Sequence, residues 1–143
     1  MYQTSLLRWN TSQERNRFLI KLILPLYVMV SKKRKFWLNF NQYNASHWTT
    51  RGAAKKAFNK KIVPILVNIN KNFKQIKLIY TVYHYRSYDI NNVCSIIDKF
   101  FQDAMIEAGI IDDDNYKINI ETLFTTGELD SENPRCEVQI MEV

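Results

Sequence analysis

Apolar residues between Asp89 and Gly109 recur at helical spacing: Val93, Ile96, Ile97, Phe100, Phe101, Ala104, Met105 and Ala108 follow the i, i+3, i+4 rule. That stripe predicts an amphipathic helix with its apolar face in a core, Asn91 or Asn92 as its cap and Gly109 at its end. A second stripe, Ala54, Phe58, Ile62, Ile65 and Leu66, predicts a basic helix over 51–68. Its Lys55, Lys56, Lys60 and Lys61 fall largely outside the apolar face, and Pro64 is a kink or a boundary. QIKLIYTVYHY (75–85) has another character, being β-branched, aromatic and apolar at both alternating positions. It predicts an interior strand buried on both faces. Residues 24–30 predict the first strand, and 116–124 and 135–142 two more, separated by the turn-rich TGELDSENP. Residues 31–49 mix basic, aromatic and amide side chains without a clean period and predict an extended segment and loop. The order β-loop-α-β-α-β-β describes an α/β (α+β) fold, a small single domain whose mixed β-sheet packs with two main helices.

A chain of 143 residues, 46% of them hydrophobic, has the length and composition of one such domain. The apolar run FLIKLILPLYVMV (18–30), with Arg8, Arg15 and Arg17 ahead of it, superficially resembles a signal peptide. Lys21 and Pro25 interrupt it, no small-residue cleavage site follows, and it is shorter than the roughly 20 residues that span a bilayer. We therefore read residues 1–17 as a polar N-terminal extension, residues 18–143 as the domain, and expect no membrane association. Cys94 and Cys136 have no metal-site spacing and both sit in apolar patterns, which predicts buried thiols and a cytoplasmic protein.

Charge divides the chain sharply. Residues 1–88 carry 17 Lys and Arg against one acid, Glu14, a formal +16; residues 89–143 carry 3 against 13, a formal −10. Six aspartates, Asp89, Asp98, Asp103, Asp112, Asp113 and Asp114, fall within one segment of the acidic half. A basic half suits a polyanion such as nucleic acid, and acids in the same domain repel phosphate unless divalent cations lie between them. A metal-dependent nuclease needs that combination. Charges that are only solvated faces would give the same composition.

The stretch DINNVCSIIDKFFQDAMIEAGIIDDDNYK (89–117), followed by ENPRCEVQI, resembles the RusA family of Holliday-junction endonucleases, particularly its phage-encoded members. The shared pattern is DxDN, a helix carrying a lysine, DAL, AG, two apolar residues and a DD pair. It extends over about residues 24–143, is strongest over 89–117 and is weaker in NQYNASHWTTRGAAKKAF (41–58). The resemblance implies a homodimeric, Mg-dependent resolvase, with Mn as a substitute, that cuts four-way DNA junctions symmetrically in recombination and repair. It implies a location in the cytoplasm, the host's if the chain is phage-encoded.

Carried over by position, the resemblance makes Asp89, Lys99 and Asp114 catalytic and Asp89, Asn91, Asp113 and Asp114 metal ligands. Asn91 stands where the family has an aspartate; its carbonyl can ligate Mg²⁺ but brings no charge. A second reading follows, that of a catalytically weak or inactive relative that binds branched DNA or a protein partner. Local readings compete with each assignment: Asp89 as a helix cap, Lys99 paired with Asp103 at i, i+4, and Asp113 and Asp114 in a solvated turn. A helix of about 17 residues is roughly 25 Å long, so Asp89 and the aspartate triplet lie at its opposite ends. Either the chain folds back or two chains meet.

Lys32, Lys33, Arg34 and Lys35, together with His47, Arg51, Lys55, Lys56 and Lys60, are the expected DNA contacts. Tyr43, His47, Arg51 and Lys55 stand one helical turn apart if the basic helix begins early. Phe36, Trp37 and Trp48 suit unstacked bases at a junction centre, or equally a core or a dimer contact. His84, in the apolar strand, is read as a core or supporting histidine.

Overall fold

The computed structural model describes the backbone of residues 4–9 and 17–143 and the side chains from residue 19 onward. Seven strands and three helices follow in the order β1 (Thr4–Trp9), β2 (Arg17–Leu24), β3 (Tyr27–Met29), β4 (Lys35–Trp37), α1 (Phe40–Ala45), α2 (Trp48–Val67), β5 (Ile76–Tyr83), α3 (Ile90–Glu107), β6 (Asn119–Thr126) and β7 (Arg135–Glu142). This is a mixed α+β domain. Of the expected extension, residues 4–9 form β1, paired with β2; residues 1–3 and 10–16 lie outside the described residues.

Five strands form one sheet in the order β1-β2-β7-β5-β6, and β3 pairs with β4 in a separate ribbon. β5 and β6 run parallel, joined by the α3 crossover, while β7 is antiparallel to both β5 and β2. Ile20, Leu22 and Leu24 of β2, Ile76, Leu78, Tyr80 and Val82 of β5, and Cys136, Val138 and Ile140 of β7 are buried. They share one core with Phe58, Ile62 and Leu66 of α2 and with the apolar stripe of α3. At about 1.5–3 kcal/mol for each large apolar side chain removed from water, this core is the main stabilising element.

α3 ends as its sequence predicts. Gly109 takes a positive φ of 76°, and the N–H groups of Gly109 and Ile110 bond back to Ile106 O and Met105 O, closing the last turn and turning Ile110 and Ile111 into the core. At its start the cap is Asp89, as the local reading of that residue has it, and not Asn91 or Asn92.

Four other expectations are corrected. The strand expected over 24–30 breaks at Pro25, which has no N–H to give a ladder, so β2 ends at Leu24 and the chain restarts as β3 in the ribbon. The loop expected over 31–49 contains β4 and the short helix α1, which Asn39 caps by accepting the Gln42 N–H at 2.7 Å. α2 begins at Trp48 on a His47 cap and carries Pro64 inside it, with the proline exposed. β5 is covered on one face only: Lys77, Ile79, Thr81 and Tyr83 are half-buried between their buried neighbours, as in a sheet with helices on one side.

Candidate functional site

β5 delivers the chain to the edge of the core, and residues 84–89 then turn into α3. Asp89 Oδ1 accepts the N–H groups of Asn91 at 3.0 Å and Asn92 at 3.3 Å, occupying two donors that the first helical turn leaves open. The carboxylate is exposed, and so is Asn91. Asn92 Oδ1 accepts the Asn41 N–H at 3.3 Å, tying α1 to the start of α3. Between β4, α1, residues 84–89 and the first turn of α3 lies an open cleft of about 650 Å³, with Asp89 in its lining.

One wall of the cleft is aromatic. The His84 ring lies near-parallel to Trp37 (centroids 6.3 Å apart) and to Tyr88 (5.0 Å), with Tyr85 against both Trp37 and His84. His84 is 6% exposed, as a supporting histidine should be. Its Nδ1 accepts the backbone N–H of Tyr85 at 3.0 Å and of Arg86 at 3.4 Å, which assigns the ring proton to Nε2. Burial lowers its pKa, and the nearby Arg86 lowers it further, so the ring is neutral near pH 7.

The six aspartates that sequence concentrates do not gather into one group, although Asp114 lies close enough to Asp98 to push its pKa up. Asp98 accepts Tyr80 Oη–H at 2.6 Å and Gln102 Nε2–H at 2.8 Å; burial raises its pKa against those two bonds. Asp103 pairs with Lys55 at 3.0 Å, which corrects the expected Lys99–Asp103 pair. Lys99 instead places its Nζ 5.2 Å from the Tyr43 ring centroid. Asp112 accepts from Asn72 at 3.0 Å. Asp113 accepts the Asp114 N–H at 2.8 Å and the Asn115 side chain at 3.0 Å, which hold its pKa down, and Asp114 is exposed beside it. Asp113 and Asp114 thus stand in a hydrogen-bonded turn beyond the C-terminus of α3, while Asp89 and Asn91 stand at its N-terminus. Among the described residues no group of three His, Cys, Asp or Glu could hold a metal ion.

Of the expected DNA contacts, Lys32, Lys33 and Arg34 are exposed in the turn between β3 and β4 and Lys35 at the start of β4, Lys35 lying 4.6 Å over Tyr27 and 5.9 Å from the Trp37 ring. Lys56 and Lys60 are exposed on α2. The helical series from Tyr43 to Lys55 is broken between α1 and α2. His47 caps α2 by accepting the Thr49 N–H, and Arg51 donates to Tyr43 O at 2.8 Å and Asn44 O at 3.3 Å, closing the end of α1. The three aromatic candidates separate: Phe36 is fully buried core, Trp37 lines the cleft, and Trp48 is 73% exposed beside His47. The residues that sequence reasoning missed are Asn41, Tyr85 and Arg86. The run YHYRSYD (83–89), alternating aromatic and charged side chains ahead of a helix, carried the signal.

The chain matches no protein-family model and no curated protein. Among the described residues no helix is long and apolar enough to cross a membrane.

Proposed function

We propose that this chain binds branched DNA in the manner of RusA-type junction endonucleases, and that strand cleavage belongs to an assembly of two chains. The observation that supports this reading is the exposed Asp89 carboxylate at the rim of an aromatic and amide-lined cleft, in a domain whose β3–β4 ribbon presents four successive exposed cations, three in its turn and one at the start of β4. Among the described residues of one chain no group fits a divalent cation: Asp89 and Asp114 flank an 18-residue helix in sequence, and Asn91 adds no charge. A homodimer that brings Asp89 of one copy near Asp113 and Asp114 of the other is what Mg or Mn binding then requires. Lys32 to Lys35, Lys56 and Lys60 supply positive charge for phosphates, and the reading includes a cytoplasmic setting.

Binding without cleavage is the second reading, favoured by the engagement of aspartates in local hydrogen bonds. One assay separates the two. The pure protein is incubated with a labelled four-way junction with and without Mg²⁺ or Mn²⁺. Metal-dependent paired nicks are the expected result; a shifted but uncut junction selects the binder, and failure to shift the junction at low salt removes both.

A further inference from the structure

We propose that the cleft between β4, α1 and the N-terminus of α3 is a seat for one unpaired nucleotide, base against the aromatic wall and phosphate toward Arg86. The inference rests on the reading of this chain as a DNA-binding protein and adds the site at which a strand that leaves the duplex is held.

Three observations converge on it. The cleft encloses about 650 Å³ and opens at the carboxyl end of β5, where the parallel crossover begins. Cavities at that place in α/β sheets are where ligands enter. Its aromatic wall is built of packed rings: Trp37 and Tyr85 lie 5.6 Å apart at 43°, backed by buried His84, and they offer ring faces to a flat base. Stacking of this kind tolerates every base because each has a π-face.

The polar atoms of the cleft match a base edge and a phosphate. Asn92 spends its carbonyl on the Asn41 N–H, leaving Nδ2 as a donor with no partner among the described residues; the Asn41 side chain is likewise unengaged there. Amides of this kind pair with Watson–Crick edges, which are exposed only when a base is unpaired. Arg86 is exposed, lies 5.2 Å over the Tyr85 ring and forms no ion pair with a described acid, so its guanidinium is available to a phosphate. The same planar group can stay on Tyr85 while it does so. A fully stacked duplex presents neither the π-face nor the Watson–Crick edge, and the wall therefore discriminates unpaired from paired nucleotides.

The test uses an oligodeoxynucleotide carrying one fluorescent adenine analogue, single-stranded and annealed to its complement, with wild type, Trp37→Ala, Trp37→Phe and Arg86→Ala. Binding is followed by anisotropy, analogue stacking by its emission, and folding by circular dichroism. Wild type is expected to quench the analogue in the single strand and not in the duplex. Trp37→Ala is expected to weaken single-strand binding about tenfold and remove the quench, with Trp37→Phe restoring most of both. Exposed Arg86→Ala, which leaves the fold alone, weakens single-strand binding severalfold more than duplex binding. Equal losses on both substrates, or single-strand binding that neither variant changes, overturn the cleft while leaving the DNA-binding function standing. Absence of binding to any DNA by wild type overturns both.

Discussion

The two ends of α3 carry similar residues to different ends. At its start Asp89 holds the first turn with one carboxylate oxygen and leaves an exposed carboxylate at the rim of a cleft, where a buried neutral histidine backs the aromatic wall. At its finish a glycine at positive φ closes the helix, Asp112 accepts from Asn72, and Asp113 accepts from Asn115 and the Asp114 N–H. Asp89 lines the cleft; the acids at the far end stand in a hydrogen-bonded turn. A high local count of acids is therefore no guide to a site; what matters is whether a cavity adjoins them and whether their lone pairs are already engaged.

Substitutions at the two ends should separate them, and the largest effect is expected at Asp89. Asp89→Asn keeps an acceptable cap but removes the charge, so junction cleavage should fall at least about a hundredfold with thermal stability nearly unchanged and junction binding equal or tighter. Asp89→Ala loses cap and charge together and should cost about 1 kcal/mol of stability as well. Gel assays and urea melts on the two variants give both quantities; wild-type cleavage by Asp89→Asn removes the assignment.

At the other end Gly109→Ala places a Cβ on a residue with φ of 76°, and about 1–2 kcal/mol of stability should be lost with DNA affinity unchanged. A variant as stable as wild type in urea would show that the turn relaxes.

pH sharpens the comparison further. Folding lowers the His84 pKa, so its contribution is complete above the unfolded value of about 6.5 and is lost as pH falls, because the unfolded chain takes the proton first. Asp98, midway along α3, has the opposite sign: folding raises its pKa, its contribution is complete below the unfolded value of about 3.9 and declines as pH rises through the folded one. Denaturation midpoints across pH for His84→Gln and Asp98→Asn should each lose one of these slopes. A His84→Gln profile that still falls below pH of about 6.5 as steeply as wild type would remove the histidine as its cause.

The smallest effect is expected at Asn91→Asp. An acid in the first turn of α3 should add a few tenths of a kcal/mol through the helix dipole, and should raise cleavage if a two-chain metal site uses this position. Higher stability with unchanged cleavage would leave position 91 outside the chemistry.

The long helices, the strand 135–142 and the end of α3 at Gly109 were legible in the sequence because each depends on groups within about one turn or one strand of itself: an apolar stripe at 3.6 residues, alternation at 2, a glycine that tolerates positive φ. Pro25 was legible too, but its consequence was not, since a missing N–H matters only once the neighbouring strand is known. What tertiary structure alone decided is lateral. Lys55 meets Asp103, Lys71 meets Glu142 and Lys77 meets Glu121, so three cations of the basic half each stand against an acid of the acidic half. Trp37 reaches His84 across 47 residues of chain, and Asn41 reaches Asn92 across 51, because the ribbon, α1 and the β5–α3 turn all pack at one corner of the sheet. No local pattern encodes such meetings; they form when the core closes, burying Phe36 and presenting Trp37 one residue later on the opposite side of the same short strand.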